Sequence, residues 1–166
     1  MTISLIVAAS ENNTIGKNNQ LLWHLPKDMK FFKNTTWAMA VAMGRKTFES
    51  MGSKPLAGRK NIIITRQHGW KADGVSVVRS VDEAVALANE EDYKEIFIIG
   101  GGEIFMIAFD KAQKIYMTKV HVEIEGDVFF PVIQKKDWNL VSSTDNLADE
   151  KHPYAFTFEI WGRKGN

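Results

Sequence analysis

Glu95-Ile96-Phe97-Ile98-Ile99 runs as an apolar stretch into Gly100-Gly101-Gly102, and Glu103-Ile104-Phe105-Met106-Ile107-Ala108-Phe109 follows at once. The first part is short and rich in β-branched residues, the pattern of a strand buried on both faces. The glycines break it, and the apolar spacing resumes as a helix over 103–109. Three successive glycines lose much conformational entropy on folding, so a tight turn or a close backbone approach must require them. A strand that ends in glycines and restarts as a helix also leaves unpaired N–H groups at a helix N-terminus, where phosphates bind. This segment by itself is either an ordinary turn or a phosphate site at the carboxyl end of a strand, and its strand–helix order is that of an α/β chain.

Working outward, the same arrangement recurs upstream. Residues 40–43 form a short buried strand, and Met43-Gly44-Arg45-Lys46-Thr47 leads into a helix over 46–51. Thr65-Arg66, after the strand 61–65, and Arg79, after the strand 75–78, add two more basic strand ends. Singly, the glycine junctions are as easily ordinary turns, and Arg66 and Arg79 solvated strand ends; together the four ends favour a dinucleotide. The clustered cations favour the phosphorylated form, because guanidinium matches phosphate geometry. Strands over 2–9 and 114–122, a helix from Pro26 to about residue 35 and another over 81–89 complete the alternation. Near the C-terminus, Tyr154, Phe156, Phe158 and Ile160 alternate with Ala155, Thr157, Glu159 and Trp161, the period of an antiparallel strand. The expected fold is one α/β domain over 1–166, with a mixed, mostly parallel central sheet, helices on both faces and a C-terminal antiparallel strand.

Composition narrows the function. The 166 residues carry a net charge of +1, which points to neither nucleic acid nor an anionic membrane as partner. The chain has no cysteine, excluding disulfides, thiolate metal sites and cysteine nucleophiles, and fitting a cytoplasmic location. The apolar start, Met1-Thr2-Ile3-Ser4-Leu5-Ile6-Val7, lacks a basic leader region and reads as a strand. His24, His68, His121 and His152 are scattered without zinc-ligand spacing, so no metal is expected. No nucleophile elbow is present. Glu90, Glu91 and Asp92 read as a solvated loop.

One acid stands apart. On the helix from Pro26, helical spacing places Asp28 beside Leu25, Met29 and Phe32. If that face lines a cleft, desolvation makes Asp28 a proton handler. Its alternative is an ordinary first-turn acid favoured by the helix dipole. Trp23 likewise is either core or site. A nucleotide site with one placed acid suits hydride transfer, in which a cofactor performs the hard step.

These residues, taken in order, resemble dihydrofolate reductase of the bacterial type. The resemblance runs through Ile15-Gly16, Leu21-Leu22-Trp23, Asp28, Phe32, Thr36 and Met43-Gly44-Arg45-Lys46-Thr47-Phe48-Glu49-Ser50. It continues through Gly58-Arg59-Lys60-Asn61, Ile99-Gly100-Gly101-Gly102, Glu125-Gly126-Asp127 and Phe130-Pro131, covering essentially the whole chain. It implies NADPH-dependent reduction of dihydrofolate to tetrahydrofolate, a monomer and sensitivity to antifolates. Asp28 would bind the amino-pyrimidine edge of the pteridine and promote protonation of N5, with Thr118 supporting it and Trp23 holding a water. Ile6, Val7, Ala8, Met29, Phe32, Met51, Leu56 and Phe105 would line the folate pocket, and Arg59 would pair with the α-carboxylate of the glutamate tail.

On the cofactor side, Ile15 and Ile99 would flank the nicotinamide. Gly100, Gly101 and Gly102 would approach the pyrophosphate, with a cis peptide joining Gly100 and Gly101. Arg45, Lys46, Thr65 and Arg66 would grip the adenosine phosphates. Ala8, Gly16, Leu21, Gly44, Thr47, Arg79, Glu103, Ile104 and Phe105 complete the expected cofactor contacts, and residues 11–22 would form a mobile lid. Leu22, Ala57 and Phe105 depart from the family's usual proline, proline and tyrosine. The helix over 103–109 is unusually apolar, and is either deeply packed or presents a sticky face. Two other readings compete: an NADPH-dependent pyrimidine reductase of riboflavin synthesis on the same fold, and a non-catalytic NADP-binding module.

Overall fold

The computed structural model describes residues 1–17 and 22–165. In chain order its elements are β1 (Thr2–Ser10), β2 (Thr14–Gly16), α1 (Pro26–Thr36), β3 (Ala40–Gly44), α2 (Arg45–Ser50), β4 (Lys60–Ile64) and β5 (Ser76–Val78). There follow α3 (Val81–Glu90), β6 (Glu95–Gly100), α4 (Gly102–Phe109), β7 (Lys114–Val120), β8 (Val128–Phe129), β9 (Trp138–Asn146) and β10 (Phe156–Arg163). The main sheet has eight strands in the order β5-β4-β3-β6-β1-β7-β10-β9. From β5 to β7 every pairing is parallel, and β10 runs antiparallel to both β7 and β9. The expected mixed sheet is present.

Local chemistry sets the helix starts. Pro26 occupies the opening of α1, where a missing N–H costs nothing and a fixed φ helps. Ser80 caps α3 by accepting from the Glu83 N–H at 3.0 Å, the usual task of a side chain at that position. The central strands are buried on both faces. Val41, Ala42, Met43, Ile62, Ile63, Ile96 and Ile98 are inaccessible to solvent, as parallel strands covered by helices should be. One apolar cluster gathers Leu5, Ala42, Ile98, Phe105 and Ile115, and a second on the opposite face gathers Ile6, Met43, Phe48, Ile63 and Phe97.

The sequence-based reading missed three strands. β9 is exposed along nearly its whole length and forms the sheet edge, so burial imposes no period on Leu140-Val141-Ser142-Ser143. β2 and β8 pair with each other as a separate small sheet and are too short for any period to register. In consequence, the first part of the expected lid is an anchored strand. The helix α4 resolves both expectations about it: Phe105 and Ala108 are buried, while Met106 is 60 % and Ile107 44 % exposed. Among the described residues no helix is long and apolar enough to cross a membrane.

Candidate active site

Asp28 lies in the first turn of α1, facing the carboxyl half of β7. Its Oδ1 accepts a 2.6 Å hydrogen bond from the hydroxyl of Thr118, which is itself buried. Burial raises the Asp28 pKa above the ordinary aspartate value, and the Thr118 hydrogen bond opposes that rise in part. Asp28 thus lies in the first turn, as the helix-dipole reading has it, and is also partly desolvated, as the proton-handling reading needs. Thr118 is paired with Ala8 on β1 and with Phe158 on β10, so the sheet fixes the hydroxyl. Phe158 stacks on Phe31 of α1 with ring centroids 4.3 Å apart, holding helix and sheet together beside the carboxyl. Trp23 packs on the Leu25–Val120–Phe156 cluster in the same region.

The apolar wall next to Asp28 is the second core cluster. Ile6 belongs to it, and Phe32, Met51, Leu56 and Ile99 pack partly exposed against it. Five residues expected around the substrate and nicotinamide thus share one face. Met29, on the same helix as Asp28, is 55 % exposed. Val7 does not join them: strand alternation turns its side chain to the opposite cluster, which leaves only its backbone facing this side. Ile15, Ile104 and Phe105 also pack with that opposite cluster.

Arg59 closes one end of the wall. Its Nη1 donates to Thr36 Oγ1 at 3.2 Å and its Nε to the Ala57 carbonyl at 2.9 Å. The guanidinium lies 5.5 Å from the Trp37 ring centroid and 6.0 Å from that of Phe32, which adds cation–π attraction. Burial lowers its pKa. A functional residue without an expected role emerges here. Buried Asn61 accepts from the Leu56 N–H and donates to the Leu56 and Arg59 carbonyls, at 2.8, 2.9 and 3.0 Å. It shapes the loop that presents Leu56 and Arg59. Its signal in the sequence was a polar residue leading into three isoleucines. Gly58 completes the loop, since a Cβ there would sit 2.2 Å from the Trp37 ring.

The carboxyl ends of β3, β4, β5 and β6 form the opposite shoulder. Gly100 and Gly101 are joined by a cis peptide, and a Cβ on Gly101 would stand 3.0 Å from Thr47 Oγ1. A Cβ on Gly44 would lie 3.3 Å from Ile104. The third glycine has a different reason: a Cβ on Gly102 would fall 2.3 Å from Val128 Cγ1, so its bareness admits the small β2–β8 sheet. Glu103 follows it in the first turn of α4. Arg45 is engaged with Glu49 at 2.6 Å along α2, and Lys46 is exposed beside it. At the outer strand ends Arg79 reaches His68 Nδ1 at 3.3 Å and the Arg66 carbonyl at 3.2 Å. Thr65 Oγ1 holds the Gln67 N–H at 3.1 Å. His68 joins this basic group without having been singled out, because a lone histidine in a loop carries no spacing signal.

The segment entering the expected lid is clamped. Thr14 is fully buried, its Oγ1 donates to the Ile124 carbonyl at 2.8 Å, and its N–H donates to Ser10 Oγ at 2.9 Å. The Asp127 N–H reaches the Gly16 carbonyl at 3.1 Å and the Phe130 N–H the Asn13 carbonyl at 2.9 Å. Leu21, expected at the cofactor, lies outside the described residues. Among the described residues no cluster of carboxylates or histidines could hold a metal.

Comparison with known proteins agrees with this geometry. A family model described as dihydrofolate reductase matches residues 2–163. The dihydrofolate reductase of Haemophilus influenzae is 44% identical over 164 residues, covering 99% of this chain and 100% of that protein. The type 3 dihydrofolate reductase of Salmonella typhimurium is 42% identical, covering 99% of each chain. The Bacillus subtilis enzyme is also 42% identical, covering 99% of this chain and 96% of that one. A solved structure of Enterococcus faecalis dihydrofolate reductase, complexed with NADP(H) and RAB-propyl, superposes with a TM-score of 0.89 at 38% identity, covering 98% of this chain and 96% of that one. The chain belongs to the dihydrofolate reductase family.

Proposed function

We propose that this protein reduces 7,8-dihydrofolate to 5,6,7,8-tetrahydrofolate with NADPH. The observation that carries the reading is one desolvated carboxyl, Asp28, fixed by Thr118 at 2.6 Å beside a half-open apolar wall. NADPH supplies a hydride from nicotinamide C4 to pteridine C6, and the protein's own groups supply position and the proton. The residues present fit that cofactor. The glycine junction leaves backbone open where a Cβ on Gly101 would press on Thr47, and Arg45, Lys46, Thr47, Thr65, Arg66 and Arg79 bring donors to the neighbouring strand ends. His68 extends the group that would receive the 2′-phosphate. Ile15 and Ile99 flank the nicotinamide position, with Ala8, Gly16, Gly44, Glu103, Ile104 and Phe105 around it.

On the substrate side Asp28 accepts from the amino-pyrimidine edge and promotes protonation of N5 through a water that Trp23 holds. Ile6, Ala8, Met29, Phe32, Met51 and Leu56 exclude bulk solvent from the ring, together with the backbone of Val7, whereas Phe105, packed in the opposite cluster, does not reach it. Arg59, braced by Thr36 and two aromatic rings, takes the glutamate α-carboxylate. The same Asp28–Arg59 frame receives antifolates. The chain works as one domain, a monomer and a cytoplasmic protein. The pyrimidine-reductase and sensor readings are not favoured, since neither needs Asp28 and Arg59 in these places.

Because burial raises the Asp28 pKa, its carboxyl keeps a proton to higher pH and loses it as pH rises through that raised value. Hydride transfer should therefore decline toward alkaline pH. Thr118→Val removes the interaction that opposes the rise, so the midpoint of that decline should move further up. Single-turnover rates across pH measure both.

The activity itself is tested by following NADPH absorbance with dihydrofolate present. Rapid oxidation that a diaminopyrimidine antifolate abolishes is expected. NADPH binding to the folded protein without oxidation would return the sensor reading.

A further inference from the structure

The helix that carries Asp28 begins without a local cap. Leu25 precedes it and offers no side-chain hydrogen bond, and Pro26 has no N–H. The first backbone donor left without a helical acceptor is therefore the N–H of Lys27, one residue before Asp28. The ladder itself starts only at Met29, whose N–H reaches the Leu25 carbonyl at 3.0 Å.

Lys27 finds its partner far away in the sequence. Its N–H donates to Nε2 of His152 at 3.1 Å. His152 is 6 % exposed and sits in the connection between β9 and β10, its ring 5.3 Å from that of Phe156. Phe156 in turn belongs to the cluster on which Leu25 and Trp23 pack. On its other side the ring meets Asp149, with Nδ1 to Oδ1 at 2.8 Å. The same Oδ1 accepts the Lys151 and His152 N–H groups at 2.9 Å each, and residues 149 and 152 form a two-residue bridge. These hydrogen bonds hold the Asp149 carboxyl below the usual carboxylate range, the His152 contact most strongly. An ionised carboxylate can only accept, so the ring carries its proton on Nδ1 and leaves Nε2 as an acceptor for Lys27. Lys27, Asp145 and Asp149 are the charged groups lining the cavity beside the imidazole.

We propose that His152, oriented by Asp149, is a positioning residue that caps α1 from the β9–β10 connection and thereby fixes the turn presenting Asp28. The proposal rests on Asp28 serving the reaction as described above. Without the cap the first turn frays and Asp28 gains water. Desolvation is the larger influence on its pKa, so the midpoint of the pH–rate profile falls.

Two substitutions separate reach from bulk. In His152→Gln an amide oxygen lies near the place of Nε2, whereas His152→Asn keeps a polar group toward Asp149 but cannot reach Lys27. In His152→Asn the Lys27 amide should exchange with solvent roughly fivefold faster, the effect of a lost cap. Single-turnover hydride transfer should slow by roughly tenfold, as expected for a slightly displaced catalytic group, with its midpoint at lower pH and NADPH affinity unchanged. His152→Gln should restore all of these toward the parent. Asp149→Asn, at an exposed position that does not threaten folding, should shift exchange and rate in the same direction as His152→Asn.

The proposal fails if Lys27 exchange is unmoved in both His152→Asn and Asp149→Asn. It fails equally if exchange quickens while rate and midpoint stay fixed, which describes a merely structural cap, or if His152→Gln is as impaired as His152→Asn. Asp28→Asn is the control: full activity there would overturn the reading of the site, whereas Lys27 exchange would still report on the cap.

Discussion

Asp28→Asn should slow hydride transfer at neutral pH by roughly a hundredfold or more, within the span usual for a positioned proton-transfer group. Activity should recover in part as the pH is lowered, because solvent then delivers the proton that the amide cannot. The cause is local. Asn can still accept from Thr118, which lies 2.6 Å from Oδ1 in the parent, so the pocket keeps its shape and only the exchangeable proton is lost. A second consequence follows from linkage. Burial raises the carboxyl's folded-state pKa, so the ionised form is disfavoured in the folded state. Stability is lost as pH rises from the unfolded-state pKa through the folded-state one. The neutral amide escapes that loss, and at neutral pH the variant should melt at a higher temperature than the parent while turning over far more slowly. Stopped-flow absorbance across pH and thermal unfolding at pH 7 check the two halves. Unchanged turnover would remove Asp28 from the chemistry.

The second large effect lies away from the acid. A Cβ on Gly126 would stand 2.2 Å from Thr14 Cγ2 and 2.6 Å from the Gly16 carbonyl oxygen. Neither neighbour can step aside cheaply. Thr14 is fully buried and hydrogen-bonded to Ser10 and Ile124, and the Gly16 oxygen is backbone that already accepts from Asp127 at 3.1 Å. Gly126→Ala must therefore push β2 away from the 124–130 segment. Overpacking of this kind costs about 1–3 kcal/mol. For a chain of this length that lowers the melting temperature by roughly 3–10 °C. Turnover should also fall if Ile15 and Gly16 of β2 serve the nicotinamide as proposed. Gly162→Ala is the contrast: its Cβ would meet only Val141 Cγ2, at 3.3 Å, near an exposed edge, and should change little. Equal losses in the two variants would show that Gly126 is not a special contact.

Much of this was legible from residues. The central strands announced themselves because both faces are covered, which leaves uninterrupted runs such as Ile62-Ile63-Ile64 and Ile96-Phe97-Ile98. Proline at the opening of α1 and the glycines before α4 set boundaries to within a residue. β9 was hidden because an exposed edge strand obeys no burial period, and β2 and β8 because two or three residues cannot display one. Val7 shows the limit in the site. Resemblance gave its place on β1 but not which face its side chain takes, and its packing against the cluster opposite to that of Ile6 settles that. The roles of Asn61 and His152 were opaque for a shared reason. Each acts through hydrogen bonds to backbone, and for His152 the partner is 125 residues away. Spacing along a sequence reveals neither.

Hydride transfer onto C6 of a reduced pteridine is the step on which the assigned roles of Asp28 and the glycine junction converge. The most direct measurement is a turnover with NADPH deuterated on the transferable face of nicotinamide C4, followed by mass and NMR analysis of the product. One deuterium is expected at C6 of tetrahydrofolate, none at N5-derived positions after exchange into ordinary water, and the labelled product should be lost when a diaminopyrimidine antifolate is present. Oxidation of the cofactor without label at C6, or no pteridine reduction by a folded protein that binds both ligands, would contradict those roles.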